Sequence, residues 1–291
     1  MKLASTPLDM PQARAGRAAS PWGRWGLRAT ATLYLVVMIA LPLAAILANG
    51  LRDGLRAFWS DLSGPAAFAA LKLTVVLAVI VTAVNAVMGT LTAYVIVRYR
   101  FYGRGLLNGL IDMPFAIPTL VTGVMLVALY GPQRTLGAWL GAHGVQVIFA
   151  TPGIVLALLV ITYPFVIRAV QPVLIEAERS EEEAAYTIGA SKWTTFLRVV
   201  FPTIAPAVVS GSLLCFARAL GEFGSIVVVA GNIPGRTLTA PVYVYGQIES
   251  HNERAASAMS IVLLALSFAL IVTVEWLQSR NRRAYVASDD Q

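Results

Sequence analysis

The sequence predicts an all-α integral membrane protein with six membrane-spanning helices. Of its 291 residues, 57% are apolar and only 13% are charged, and the mean hydropathy is +0.71. The apolar residues fall into runs of about 20, the length that an α-helix needs to cross a hydrocarbon layer of roughly 30 Å. This composition excludes an ordinary soluble domain and a disordered chain alike.

The apolar runs place a transmembrane domain at residues 26–283, between a disordered cytoplasmic arm at 1–25 and a short cytoplasmic tail at 284–291. We expect the six helices at about residues 28–49, 71–97, 106–130, 152–170, 204–230 and 257–277. The fourth is the least regular, because Pro164 and Pro172 bracket its end. The outer connections between helices are too short to hold independent domains.

The distribution of basic residues predicts the topology. If the N-terminus is cytoplasmic, fifteen lysines and arginines lie in inner segments and five in outer loops. The positive-inside rule then places both termini in the cytoplasm, with Arg168 in the charged flank after the fourth helix. The net charge of +7 is thereby explained without a nucleic-acid partner.

The chain shows no sign of catalysis, of a cofactor or of a metal site. None of the three lysines follows a glycine, as a phosphate-binding P-loop requires, so ATP hydrolysis is expected on another chain. The single cysteine, Cys215, falls in the fifth helix, where a small core residue is expected. The two histidines, His143 and His251, lie in different outer loops without carboxylates at ligand spacing.

The long polar connection between the fourth and fifth helices contains a predicted helical hairpin at about residues 180–200. Ser180 and Glu183 fit a capping box that opens a short helix. Gly189 is expected to end that helix in the left-handed conformation.

A second short helix is expected to follow this corner directly. Ser191 is its predicted N-cap, and Lys192 is its first residue. Pro202 is expected to stop it before the fifth spanning helix begins. Such an ordered, polar insertion between apolar helices indicates docking to a soluble partner.

Two charged residues within the fifth helix, Arg218 and Glu222, are four residues apart and therefore lie on one helix face. An unpaired charge in the bilayer is costly, so the two are expected to pair. The pair could pin the helix against its neighbours or line a solute path. The glycine-rich segment at residues 221–225 allows either close packing of the backbone or a local unwinding.

The third helix contains Asp112 followed by Pro114 and Pro118. Two prolines four residues apart remove backbone hydrogen bonds on one side and predict a kink, which could act as a hinge or be an ordinary tolerated bend. Asp112 is expected to be hydrated or to pair with Arg104 or Arg98. A role in proton transfer is a minor alternative.

The hairpin resembles the EAA motif of permease subunits of ATP-binding-cassette importers. The matching residues are Glu-Ala-Ala at 183–185, then Gly189 after three residues, and Val-Val-Phe-Pro at 199–202 after nine more. The family pattern ends in Ile-x-Leu-Pro, so Val199 and Phe201 are conservative departures from it.

Further segments resemble the sulfate and thiosulfate permease subunits of the CysT type. The resemblance runs from about residue 30 to 283, and its order and spacing make it specific. It is carried by DMPFAIP at 112–118, PFVIRAVQPVL at 164–174, RALGEFGS at 218–225 and AGN at 230–232.

This resemblance implies a type I importer fold in a bacterial plasma membrane. It implies a second homologous permease subunit, two ATPase subunits that hold ATP and Mg, and a periplasmic or lipid-anchored sulfate-binding protein. The residues that carry over as ATPase-coupling positions are Glu183, Ala184, Ala185 and Gly189, and we assign Ser191, Lys192 and Pro202 to the same hairpin surface.

Two alternatives remain at this point. Molybdate and other oxyanion permeases share the Arg-x-x-Gly-Glu-Phe-Gly phrase and the coupling motif. A secondary transporter driven by protons through Asp112 and Glu222 would need no such loop, and proteins of that class usually contain an internal inverted repeat, which this sequence does not show.

Overall fold

The computed structural model describes the backbone of residues 21–289 and the side chains of residues 25–26 and 28–273. Most of the predicted N-terminal arm, residues 1–20, and the last two residues of the predicted tail lie outside the described part. The remainder of both segments is helical. The chain divides between Ala45 and Ile46 into two compact units.

The described residues are helical, with turns and loops and no strand. The first half contains, in order, α1 (Pro21–Leu35), a π-helical segment (Val36–Ala40), α2 (Leu41–Gly50), α3 (Gly54–Ser63), α4 (Pro65–Arg98), α5 (Arg104–Ala116), α6 (Thr119–Tyr130) and α7 (Thr135–Ala142). The second half contains α8 (Thr151–Glu176), α9 (Arg179–Thr187), α10 (Lys192–Thr195), a second π-helical segment (Phe196–Val200), α11 (Phe201–Leu220), α12 (Gly224–Val229), α13 (Ala240–Glu249) and α14 (Glu253–Asp289).

Six spans are present in the described residues when α5 and α6 are counted as one broken span. The other five are long, apolar helical stretches: Arg28–Gly50, Pro65–Arg98, Thr151–Glu176, Lys192–Leu220 and Glu253–Thr273. The all-helical, six-span prediction is therefore confirmed. The connections between the first and second, third and fourth, and fifth and sixth spans hold the short helices α3, α7 and α13.

Several predicted ends are wrong, because proline does not act the same way at every position. Pro65 starts α4 six residues earlier than expected, since its fixed backbone angle suits the first helical turn. Helix α8 continues through Pro164 and Pro172 to Glu176, as spanning helices tolerate proline when neighbouring helices pack against them. Arg168 consequently lies inside α8 and not in a flank.

The third span is broken and not merely kinked. Helices α5 and α6 meet at an angle of 114°. Ile117 has an extended backbone (φ −85°, ψ 125°), the conformation that a following proline favours. Pro118 then caps the start of α6, whereas Pro114 lies within α5. The break therefore depends on the second proline.

The fifth span differs from the prediction at both ends. Pro202 does not stop the hairpin helix, because the segment from Lys192 runs into α11 without interruption. The π-helical turn just before it, in which the Phe201 N–H bonds to the Phe196 carbonyl, alters the carbonyl positions that a proline ring would otherwise meet. At the other end the helix stops at Leu220, and the backbone unwinds before α12.

The core forms where α4, α8 and α11 pack together through small residues. A β-carbon on Gly89 of α4 would lie 2.9 Å from the Val166 Cβ, and one on Gly211 of α11 would lie 2.8 Å from the Val166 Cα. Both glycines therefore permit a close approach to α8. Cys215 is buried and free, as expected for a core residue.

Candidate functional site: the coupling hairpin and the intramembrane ion pairs

The corner of the hairpin is a Schellman turn centred on Gly189. This glycine has a φ of +84°, and its N–H donates to the Tyr186 carbonyl at 3.0 Å. The next N–H, of Ala190, donates to the Ala185 carbonyl at 3.0 Å. These bonds satisfy the last carbonyls of α9, so the predicted left-handed C-cap is confirmed.

Of the two predicted N-caps of the hairpin helices, the one at Ser191 is confirmed and the one at Ser180 is wrong. The hydroxyl of Ser191 accepts the Thr194 N–H at 3.1 Å, which confirms the second cap. The capping box at Ser180 and Glu183 is wrong, because α9 already begins at Arg179. Ser180 lies within the first turn, and its hydroxyl donates to the Glu178 carboxylate instead.

The hairpin has one face packed on the bundle and one face open. Ala185 is buried, whereas its neighbours Glu183 and Ala184 are exposed. Ile188, beside the corner, is 85% exposed. Exposed large apolar side chains beside charged ones are typical of a surface that binds another protein. Ser191, Lys192, Trp193 and Pro202 are also exposed.

Sequence reasoning missed the two residues that fasten the hairpin to the bundle. Glu182 of α9 and Arg98 at the end of α4 form an ion pair with Nε and Oε1 2.7 Å apart, and their side chains are only 10% and 8% exposed. The contact is ionic but does not have hydrogen-bond geometry. No local pattern indicates it, because the two residues are distant in sequence.

The predicted pairing of Arg218 with Glu222 is confirmed. The guanidinium Nη2 lies 2.7 Å from Oε2 of the carboxylate, whose side chain is 1% exposed. The other oxygen, Oε1, accepts the backbone N–H and the hydroxyl of Ser225 at 2.8 and 2.9 Å. The carboxylate thus binds the donors at the start of α12 as well as the arginine, which satisfies its buried oxygens.

The partner of Asp112 is Arg168, and the expected pairing with Arg104 or Arg98 is wrong. Arg168 Nε donates to Asp112 Oδ1 at 2.7 Å, and its Nη2 lies 2.6 Å from Oδ2. The same guanidinium donates to the side chain and carbonyl of Asn108 and to Gln171. This cluster ties α5 to α8, although half of the Asp112 side chain remains exposed.

The two breaks in the spanning helices are packed against each other. A β-carbon on Gly224, at the start of α12, would overlap the Thr119 hydroxyl at the start of α6. A β-carbon on Gly123 would lie 2.9 Å from the Ser225 carbonyl. Both alternatives for the glycine-rich segment therefore occur together: the backbone unwinds at residues 221–223 and then packs closely.

Residues 85–283 match the protein family described as the binding-protein-dependent transport system inner membrane component. A probable sulfate transport system permease protein cysT of Nephroselmis olivacea is 41% identical over 86% of this chain and 88% of its own length. The CysT proteins of a Synechocystis species and Escherichia coli K12 are 39% and 38% identical. The alignments cover 86% and 88% of this chain and 88% and 93% of theirs.

Solved structures show the same fold. A bacterial ABC transporter that imports the acidic polysaccharide alginate superposes with a TM-score of 0.76 at 15% identity, over 89% of this chain and 96% of that one. Its complex with an alginate pentasaccharide-bound periplasmic protein gives the same score. The chain belongs to the family of binding-protein-dependent transport system inner membrane components, and it is a permease subunit of an ABC importer.

Proposed function

We propose that this subunit moves sulfate or thiosulfate across a bacterial plasma membrane. The support is the identity of 38–41% to proteins named as sulfate permeases, over most of the length of both chains. The segments that carry the intramembrane ion pairs, residues 112–118 and 218–225, lie within the matched region. The excess of basic residues in the inner segments favours cytoplasmic termini and a cytoplasmic hairpin.

The assembly that we propose contains a second homologous permease and two ATPase subunits, which hold the ATP and Mg. A periplasmic or lipid-anchored binding protein delivers the anion to the outer face. The residues of this chain that contact an ATPase subunit are on the open face of the hairpin: Glu183, Ala184, Ile188, Gly189, Ser191 and Lys192. Their exposure, with Ile188 at 85%, is the observation that carries this docking.

Closure of the ATPase subunits would move the hairpin and, through it, the two spans on either side. Helix α8 enters α9 after a two-residue link at Ala177 and Glu178, and α10 continues into α11. The hairpin is therefore connected without a flexible linker to the helices that would reorient the path. The corner of the hairpin at Gly189 is narrow, which suits its insertion into a groove of the ATPase subunit.

The solute path is proposed to be one of low affinity, with Arg218 and the Asp112–Arg168 pair beside it. Each of these arginines is already matched by a carboxylate, Glu222 or Asp112. A dianion therefore meets little uncompensated positive charge at either position. Selectivity would come from the binding protein.

Proton-coupled transport is disfavoured because both candidate carboxylates are occupied. Asp112 is bound at both oxygens by Arg168, and Glu222 is bound by Arg218 and Ser225. A proton carrier must give up such contacts in each cycle. A molybdate permease remains the nearest alternative in chemistry, because that anion has the same charge and shape as sulfate.

Purification of the complex from native membranes tests the assembly, and uptake by vesicles containing the purified complex tests the substrate. An ATPase subunit and a second permease should co-purify with this chain. Excess unlabelled sulfate and thiosulfate should suppress uptake of labelled sulfate, and molybdate should suppress it much less. Vesicles that accumulate sulfate with this chain as their only protein would overturn the proposed assembly. Stronger competition by molybdate than by sulfate would identify molybdate, and not sulfate, as the preferred substrate.

A further inference from the structure

We propose that the ion pair between Arg98 and Glu182 transmits movement of the hairpin to α4. This inference rests on the proposed docking of an ATPase subunit to the hairpin. It adds a third helix to the two that the chain itself connects to α9. Neither residue belongs to the stretch that resembles the coupling motif.

Helix α4 is not directly connected to the hairpin along the chain, unlike α8 and α11. Helix α4 ends at Arg98, and α9 begins at Arg179, with the four helices α5 to α8 between them. Movement of α9 can therefore reach α4 only through side-chain and backbone contacts. A mobile surface pair would be a poor link, since exposed ion pairs contribute at most about 1 kcal/mol.

The Arg98–Glu182 pair differs from an exposed ion pair because both of its side chains are buried. Both side chains are exposed by 10% or less, so water screens the attraction weakly. Separating such charges leaves each in a poorly solvated place, which is why loss of one partner of a buried pair is strongly unfavourable. The two helices are expected to move together and not to slide apart.

Arg98 also joins the end of α8 to the same point. Its Nη1 donates to the Leu174 carbonyl at 2.9 Å and its Nη2 to the Ala177 carbonyl at 3.3 Å. Leu174 is in the last turn of α8 and Ala177 is its C-cap, so no further helical N–H groups pair with these carbonyls. In the opposite direction, Arg179 donates to the Val97 carbonyl of α4 at 3.4 Å. One guanidinium thus holds α4, α8 and α9 together.

Neighbouring glutamates on α9 point in opposite directions. Glu183 is exposed on the open face of the hairpin, whereas Glu182 is buried against α4. A partner that pushes on the open face therefore displaces the residue that holds α4. Glu181, one residue earlier, is exposed and serves as a natural comparison.

The test uses the whole transporter, purified and placed in vesicles, with Glu182→Gln as the principal variant. This change removes the charge and keeps the size. We expect the ATPase subunits to remain bound and ATP hydrolysis to continue, while sulfate uptake per ATP falls at least about fivefold, the lower end of typical coupling between sites. Glu181→Gln, the matched control, should keep the wild-type ratio.

Further variants separate transmission from simple folding. Arg98→Met also loses the hydrogen bonds to the carbonyls of Leu174 and Ala177. In a cycle with Glu182→Gln, the double variant should therefore have nearly the same uptake per ATP as Arg98→Met alone, because the ion pair is already lost there. The inference is overturned if the losses in uptake per ATP of the two single variants add up in the double variant. It is also overturned if Glu182→Gln keeps the wild-type uptake per ATP with the ATPase bound. If Glu182→Gln does not assemble, Arg98→Gln is measured in its place. It removes the positive charge of the pair, and a normal uptake per ATP with the ATPase bound would again overturn the inference.

The experiment also distinguishes failure of the inference from failure of the proposed function. If wild-type complex contains no ATPase subunit, the docking proposal itself is wrong. If the ATPase is present and Glu182→Gln transports normally, only the transmission through α4 is wrong.

Discussion

Glu222 caps the helix that follows it by accepting two hydrogen bonds from Ser225. The N–H and the hydroxyl of Ser225 reach the same carboxylate oxygen at 2.8 and 2.9 Å, and Arg218 binds the other oxygen. The carboxylate therefore stands where the start of α12 exposes its donors, and it favours the positive end of that helix. This arrangement explains how a nearly fully buried carboxylate is retained within a membrane-spanning region.

Removal of this carboxylate should destabilise the protein more than removal of its charge alone. Glu222→Ala leaves Arg218 and both Ser225 donors without a partner, for which we expect a loss of about 3 kcal/mol, the lower end of the range for buried pairs, because a third of the Arg218 side chain is exposed. Glu222→Gln keeps an acceptor oxygen for Ser225 and should lose less. Thermal unfolding in detergent micelles measures both.

The control for this prediction is the double change of Arg218 and Glu222 to alanine. If the two residues are coupled, the double variant should be more stable than the sum of the two single losses implies. Ser225→Ala, which removes the hydroxyl bond only, should cost about 1 kcal/mol. Strict additivity in the cycle would mean that the pair makes no energetic contribution.

Features that depend on nearby residues could be predicted from the sequence, and features that depend on distant ones could not. The pairing of Arg218 with Glu222 follows from helical spacing, and the corner at Gly189 follows from glycine's tolerance of positive φ. The partner of Asp112 is 56 residues away in α8, and no local pattern indicates it. The Arg98–Glu182 pair was missed for the same reason.

The prolines show a second limit, because their effect depends on what surrounds them. Pro118 breaks the third span, whereas Pro114, four residues earlier, lies within a continuous helix. Pro202 was expected to end a helix, yet a preceding π-helical turn lets the helix continue. The sequence shows that a proline must be accommodated but does not show whether a break or a widened turn will do so.

A methyl group at Gly224 should disrupt the contact between the two helix breaks. The new β-carbon would overlap the Thr119 hydroxyl, which would have to move, and would lie 3.1 Å from the Leu120 backbone nitrogen, so α6 would also have to shift slightly from α12. We expect Gly224→Ala to cost about 1–3 kcal/mol, as is usual for overpacking. Thermal unfolding of the purified subunit is the measurement.

Two comparisons make this prediction specific. Gly246→Ala, in α13, places a methyl group where nothing lies within 4 Å, and it should leave stability nearly unchanged. Addition of Thr119→Ala to Gly224→Ala removes the nearest obstacle and should restore part of the loss. Equal losses for Gly224→Ala and Gly246→Ala would show that helix packing at the breaks is not responsible.

Loss of one charge of the Asp112–Arg168 pair should lower stability more than loss of both charges. Arg168→Ala leaves the Asp112 carboxylate without its two charged hydrogen bonds in a membrane-spanning helix, which is unfavourable. The double change with Asp112→Ala removes both charges and should recover part of the lost stability. Arg168→Lys retains the charge but cannot bind Asp112, Asn108 and Gln171 together, so it should be intermediate.

Uptake assays on the same variants show whether this pair also lines the path. If the Asp112–Arg168 pair lies beside the moving anion, the double variant should transport more slowly than its recovered stability implies. Wild-type uptake by a stable double variant would assign the pair a purely structural role.

Substitution of Gly189 should uncouple ATP hydrolysis from uptake while leaving the bundle folded. A β-carbon there meets nothing within 4 Å, so the cost is conformational only, about 1–2 kcal/mol for holding a side chain at a φ of +84°. That cost falls on the Schellman turn, which should open and change the shape of the docking corner. We expect Gly189→Leu to reduce uptake per ATP strongly and Gly189→Asn to reduce it less, because asparagine tolerates the left-handed conformation.

Gly54 provides a matched control for the conformational cost. It has the same φ of +84° and equally open surroundings, but it is the first residue of α3, which lies at the end of α4 opposite the hairpin. Gly54→Leu should therefore lower the unfolding temperature about as much as Gly189→Leu and leave uptake per ATP unchanged. If both variants lose coupling equally, the effect arises from general destabilisation, and the corner at Gly189 has no special part in docking.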